Sequence, residues 1–148
     1  MHATLPVLLG AGAGFLLAVL WFDLMFDVQA RRLDAPDGDA RLASIADYYR
    51  RVTVEAFPAN RLVAAVMLIT IAGSILQLWR TPSWRALIAV ALVVAPVTLA
   101  ARRVVPNAMR LGTRHDDLTT QRALARMIWR DHLACIAAIA VFLVLQLW

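Results

Sequence analysis

The chain has 148 residues, of which 61% are hydrophobic, and a formal net charge of +5. That length allows one domain at most. The apolar share, well above the roughly 45–50% of soluble domains, excludes an ordinary soluble globule. The single cysteine, Cys135, excludes an intramolecular disulfide.

The first apolar run covers residues 5–26, close to the roughly 20 residues needed to cross a membrane as a helix. It is expected to be a retained span rather than a cleaved leader. It is too long, has no basic residue before it, and leads into charges instead of a small-residue cleavage site. Gly10, Gly14 and Ala18 form a small-residue stripe at four-residue spacing, which predicts close helix packing. Gly12, Leu16, Val19, Asp23 and Asp27 lie on a different face. Two carboxylates at a helix C-terminus oppose its dipole, and like charges one turn apart repel by a few tenths of a kcal/mol. The structural expectation is an ion network, with Arg31 one turn beyond Asp27 and with Arg61 or Arg110 facing Asp23. The functional expectation is a proton site or a metal site built from two carboxylates and a histidine. Neither the metal nor any other cofactor is specified by the sequence.

After a turn-rich break at residues 34–40, Leu42, Ile45, Tyr49, Val52 and Ala56 fall on one helical face. Arg41, Asp47, Arg50 and Arg51 occupy the other. This predicts an amphipathic cytoplasmic helix within the segment 28–57, lying on lipid headgroups or capping the bundle. Pro58 opens the second span, residues 62–79, with Asn60 and Arg61 at its mouth. A short turn at Arg80 leads to the third span, residues 86–105. Pro96 is expected to kink that span. Asp117 or Thr119 is placed to cap the last helix, whose membrane part covers residues 128–147. Trp79, Trp84 and Trp148 sit at aromatic-belt positions, and His2 and His115 read as solvated.

All fifteen basic residues are arginines. With abundant Ala, Val and Leu, this composition is that expected of a GC-rich bacterial genome. The arginines crowd the two long connections, leaving only Arg80 and Arg85 on the other side. The excess positive charge is therefore topological and does not indicate nucleic-acid binding. It places both connections in the cytoplasm and both termini outside, in a bacterial inner membrane. The predicted fold is all-α: an integral-membrane, antiparallel four-helix bundle forming a single domain over residues 1–148.

Alternating spans gather the polar residues at one end: Asp23, Asp27, Asn60, Arg61, Asn107, Arg110 and His132 among them. Trp129, His132 and Cys135 share a face at three-residue spacing. If that face points inward, His132 is placed to act as general base or metal ligand. Cys135 reads as a packing residue. No metalloprotease, redox-dithiol, phosphate-loop or serine-nucleophile motif is present.

The second half, over roughly residues 95–145, resembles the DUF1772 membrane proteins, which include the fungal anthrone oxygenases. The resemblance is carried by Thr98, by Val105-Pro106-Asn107 with Leu111, and by Trp129 and His132. Ala134-Cys135 stands where an arginine often follows the aromatic motif. The resemblance implies oxidation of a polyphenolic or quinol-like substrate by dioxygen. His132 would deprotonate the substrate and Trp129 would stack on it. Asn60 and Asn107, with Arg61 and Arg110, would orient or hold it, and Asp23 or Asp27 would polarise or neutralise charge. Two further classes stand beside this one. The first is a non-enzymatic accessory protein that binds a membrane-protein partner or a second copy of itself. The second is a small transporter or proton channel. In every case the lipid bilayer is the expected surrounding.

Overall fold

A computed structural model describes residues 4–55 and 59–147. Every regular element among them is helical. Helix α1 (Thr4–Asp27) continues as a 3-10 segment (Val28–Arg32). After a turn, α2 (Gly38–Tyr49) runs into a π-helical segment (Arg50–Glu55). Helix α3 (Ala59–Arg80) is followed by α4 (Trp84–Leu99), a second π-helical segment (Ala100–Val104), α5 (Val105–Thr113) and α6 (Leu118–Leu147).

Four stretches are long and apolar enough to cross a membrane: Thr4–Arg32, Asn60–Arg80, Trp84–Thr113 and Leu118–Leu147. Only a minority of each apolar window is buried within the chain. The remainder presents Leu, Ile, Val and Trp side chains outward, as lipid-facing helices do. The last two stretches have 30 residues each. At 1.5 Å per residue that is about 45 Å, longer than a ~30 Å hydrocarbon core, so their polar ends have room to extend past it.

Local sequence explains the boundaries. The Ser83 hydroxyl accepts the Ala86 amide at 3.1 Å and starts α4. Pro96 lies inside α4, where its missing N–H disturbs the hydrogen-bond ladder. The π-helical segment follows one turn later. The apolar run was expected to end near Pro106, but the helix continues to Thr113. Pro106 falls in the first turn of α5, where a missing N–H has no partner to lose. Arg114 then ends the helix with φ 54°, held by its bond to the Ala43 carbonyl at 2.6 Å and its ion pair with Asp47 at 3.2 Å. The Asp117 carboxylate accepts the Thr120 amide at 2.9 Å, capping α6. Hydrogen bonds from Thr120 hold the Asp117 carboxyl below the usual carboxylate range.

Helix α1 packs on α6 and α3, and α4 packs on α3 and α6, while among the described residues the backbones of α1 and α4, like those of α3 and α6, make no close approach. One core, with Leu9, Leu16, Val93, Ile139 and Phe142, lies among these four helices. A second core at the polar end joins Leu33, Leu42, Ile45, Tyr49, Leu111 and Ile128. The apolar face of α2 is therefore buried against α5 and α6, as a cap. Ala56, at its predicted end, lies outside the described residues, as do His2, Pro58 and Trp148.

The glycine pattern differs from the expected one. Gly14 and Ala18 are exposed, and a Cβ added at Gly14 would meet nothing within 4 Å. The close approach is at Gly12, where an added Cβ would lie 2.6 Å from Thr70 Oγ1. The face that packs most tightly on α3 is thus the face that carries the aspartates.

Candidate functional site: a histidine between two aspartate–tyrosine pairs

The last turn of α1 and the middle of α6 bring Asp23, Asp27 and His132 together. Asp27 has no exposed surface, and His132 is 4% exposed. A carboxylate taken wholly out of water costs several kcal/mol unless it is paired and hydrogen-bonded. Asp27 is both. Its Oδ1 accepts the Tyr49 hydroxyl at 2.6 Å, and its Oδ2 lies 2.6 Å from His132 Nδ1. Asp23 repeats half of this arrangement one turn earlier. Its Oδ1 accepts the Tyr48 hydroxyl at 2.6 Å, and its Oδ2 lies 3.8 Å from His132 Nε2.

The two phenols come from adjacent positions at the end of α2. Tyr48 stacks on Phe26 with ring centroids 4.0 Å apart and meets Tyr49 edge-on at 5.3 Å. Burial, and then the charge of Asp27 and Asp23, pushes the Tyr49 hydroxyl well above the ordinary 10.0. Burial and the neighbouring Asp23 raise that of Tyr48 in the same way. Both remain protonated donors across the physiological range.

The bond to Asp27 sets the imidazole's role. A carboxylate only accepts hydrogen bonds, so Asp27 as acceptor selects the imidazole with its proton on Nδ1, and the neutral form of that tautomer would present an Nε2 lone pair on the Asp23 side. At 3.8 Å, Nε2 and Asp23 Oδ2 are too far apart for a direct hydrogen bond. They are spaced to share one intervening oxygen.

His132 and Asp23 line a cavity of about 560 Å³, in the size range of small-molecule sites. Its walls are mostly aliphatic, with Leu16, Leu20, Val63, Met67, Val97 and Ile139 among them. Tyr48, Tyr49, Thr53, Asn60 and Arg61 supply the other polar groups. Cys135 also lines it, with Sγ 3.8 Å from the Pro96 carbonyl, a packing position.

Of the residues singled out from the sequence, Asp23, Asn60, Arg61 and His132 meet at this cavity, and Asp27 stands behind His132. Trp129, Asn107 and Arg110 do not line it. Trp129 packs on the polar-end core, with the Arg31 guanidinium 5.9 Å from its ring centre. Arg110 is held by Asp116 through two 2.7 Å hydrogen bonds. The expected pairing of Arg31 with Asp27 is replaced by phenol and imidazole partners, and Arg110, one of the two cations expected at Asp23, is taken up by Asp116. Among the described residues, no group of three or more His, Cys, Asp or Glu side chains is arranged to hold a metal ion. Tyr48 was passed over in the sequence, and Tyr49 was read only as part of an apolar face. The available signal was two adjacent tyrosines ending a helix whose neighbours are otherwise aliphatic or charged.

The four apolar helices are compatible with a small multi-pass membrane protein. A scan of family models and searches of curated proteins and of solved structures each find no match.

Proposed function

We propose that this chain is a membrane oxidoreductase of the anthrone-oxygenase kind, acting on an apolar hydroxylated aromatic compound. The observation that carries the reading is His132, locked by Asp27 through Nδ1 and facing an aliphatic cavity through Nε2. A general base needs its free nitrogen within reach of a substrate proton, and an oriented partner fixes the tautomer that supplies it. His132 Nε2 takes the proton of a weakly acidic hydroxyl, and the imidazolium that results lies between the Asp27 and Asp23 carboxyl groups. The electron-rich anion so formed is the species that dioxygen oxidises. For an anthrone the balance is one methylene converted to carbonyl, one dioxygen consumed and one water released.

The resemblance to DUF1772 proteins supports the chemistry. The arginine distribution supports an antiparallel bundle with the site at the cytoplasmic end and the termini outside, in a bacterial inner membrane. The test is dioxygen uptake by the protein in lipid nanodiscs supplied with anthrone. Uptake above the spontaneous rate, falling to background in His132→Ala, is expected. Equal rates for the two proteins would remove the reading.

A further inference from the structure

The cavity lies beside a seam in the helix packing. Among the described residues, helix α3 packs on α1, α4 and the π-helical segment Arg50–Glu55, but its backbone makes no close approach to the π-helical segment Ala100–Val104, to α5 or to α6. Along that seam, Asn60, Arg61 and Ala64 on α3 face Val97, Ala100 and Val105 on the other wall, and all six line the cavity. Ala64 and Val105 are also exposed on the outer surface, so the cavity reaches the side of the molecule there. Both walls belong to stretches apolar enough to lie in a membrane. The disturbance that parts them is written in the chain. Pro96 and the π-helical turn after it widen α4 at this level, and π-bulges recur at functional positions.

We propose that the site is filled laterally from the bilayer, through the gap between the start of α3 and the segment Ala100–Val104. Its ligand is a lipid-dissolved, uncharged aromatic carrying one weakly acidic hydroxyl. The chemistry on the walls selects that class. Aliphatic side chains exclude a strongly hydrated molecule. His132 Nε2, with Asp23 Oδ2 3.8 Å away, offers an acceptor for a single hydroxyl at the inner end. The carboxylates of Asp23 and Asp27 repel a ligand that arrives already anionic. Asn60 and Arg61 stand at the mouth, polar enough to meet a carbonyl at the ligand's outer end.

The inference rests on the proposal that the cavity is a substrate site, and a binding measurement separates the two. A phenol bearing a photoreactive diazirine and an alkyl tail is dissolved in vesicles containing the protein, with a sulfonated, water-soluble phenol diazirine as the counterpart. Labelling of α3, α4 and α6 peptides by the lipid-dissolved probe is expected, with 1-naphthol competing and the sulfonated probe leaving those peptides unmarked. Ala64→Trp and Ala100→Trp fill the gap from opposite walls and touch none of the acid–base groups. Each is expected to slow labelling by roughly tenfold. Cavity peptides left unlabelled, equal labelling by the sulfonated probe, or full labelling in both tryptophan variants would overturn lateral entry. Full labelling with absent dioxygen uptake in the wild type would leave the portal standing and remove only the oxygenase reading, whereas unchanged labelling in His132→Ala would overturn the placement of the hydroxyl at His132.

Discussion

Tyr49→Phe isolates the hydroxyl that accompanies the most deeply buried charge. Tyr49 is 2% exposed and sits in the polar-end core, so phenylalanine keeps the ring's packing and loses the bond to Asp27 Oδ1 together with a long 3.5 Å contact to His132 Nδ1. That oxygen has no exposed surface through which water could replace the donor. A hydrogen bond to a buried charged group contributes about 1.5–3 kcal/mol, and an unsatisfied acceptor adds its own desolvation cost. The expected loss is therefore about 2–3 kcal/mol. Tyr48→Phe is the internal control. Its partner Asp23 keeps 16% side-chain exposure, so water can substitute, and about 1 kcal/mol is expected. For a chain of this size each kcal/mol moves the melting temperature by about 2–4 °C, so Tyr49→Phe should melt roughly 4–12 °C lower. Cys135, buried and the chain's one cysteine, makes a thiol-reactive fluorogenic dye a direct unfolding probe in mild detergent. A Tyr49→Phe protein that melts with the wild type, or a Tyr48→Phe protein that loses more, would refute the account of how Asp27 is held.

The same phenols predict an alkaline limb of stability. Their folded-state ionisation lies above the ordinary 10.0, so the unfolded chain releases these protons first. Their stabilisation is complete below about pH 10 and is lost as the pH rises above it. Melting followed from pH 8 upward should fall above pH 10, and less steeply in Tyr49→Phe; parallel curves would contradict the assignment. Asp27→Asn keeps the shape, but with its amide oxygen accepting the Tyr49 hydroxyl its NH2 faces His132 Nδ1 and favours the other tautomer. Turnover measured as dioxygen uptake should drop by about 100-fold or more, and a rate within twofold of wild type, roughly 0.4 kcal/mol, would contradict the general-base role. On the packing face, Gly12→Ala drives a methyl group against Thr70, which is 2% exposed, and should cost about 1–3 kcal/mol. Gly14→Ala meets open space and should be neutral or stabilising by up to about 1 kcal/mol. Thermal denaturation of the pair checks both, and equal losses would restore the Gly10–Gly14–Ala18 stripe as the packing surface.

The spans were legible because lipid leaves an apolar run few alternatives to helix. The amphipathic segment was legible because Leu42, Ile45 and Tyr49 keep helical spacing. What the pattern could not carry was partner choice. Helical spacing places Arg31 beside Asp27, yet Arg31 reaches toward Trp129, because the aspartate faces inward and a guanidinium would have to follow it out of water. Periodicity also ranked Gly14 with Gly10. Which of several small residues meets a neighbour depends on the rotation of the whole helix, and the two residue steps between Gly12 and Gly14 turn the face by about 200°. His132 and Asp23 were found as polar residues near one end. Their separation across a cavity depends on four helices and a cap, and no single stretch encodes it.

Two like charges one turn apart persist at the end of α1 because α2 supplies a neutral donor to each. The four long helices provide two carboxylates and an imidazole, a set that would carry two negative charges if only those groups were present and the imidazole were neutral. Arginine partners would cancel that charge and also remove any reason for His132 to accept a proton. Phenols stabilise the carboxylates without cancelling them. In the proposed reaction the imidazolium would form between Asp27 and Asp23, within reach of both carboxyl groups and among aliphatic walls that weaken solvent screening. The tyrosine pair thus satisfies one oxygen of each acid without bringing in a charge of opposite sign. Replacing Tyr48 or Tyr49 by arginine should accordingly be tolerated better by the fold than by any proton transfer at His132.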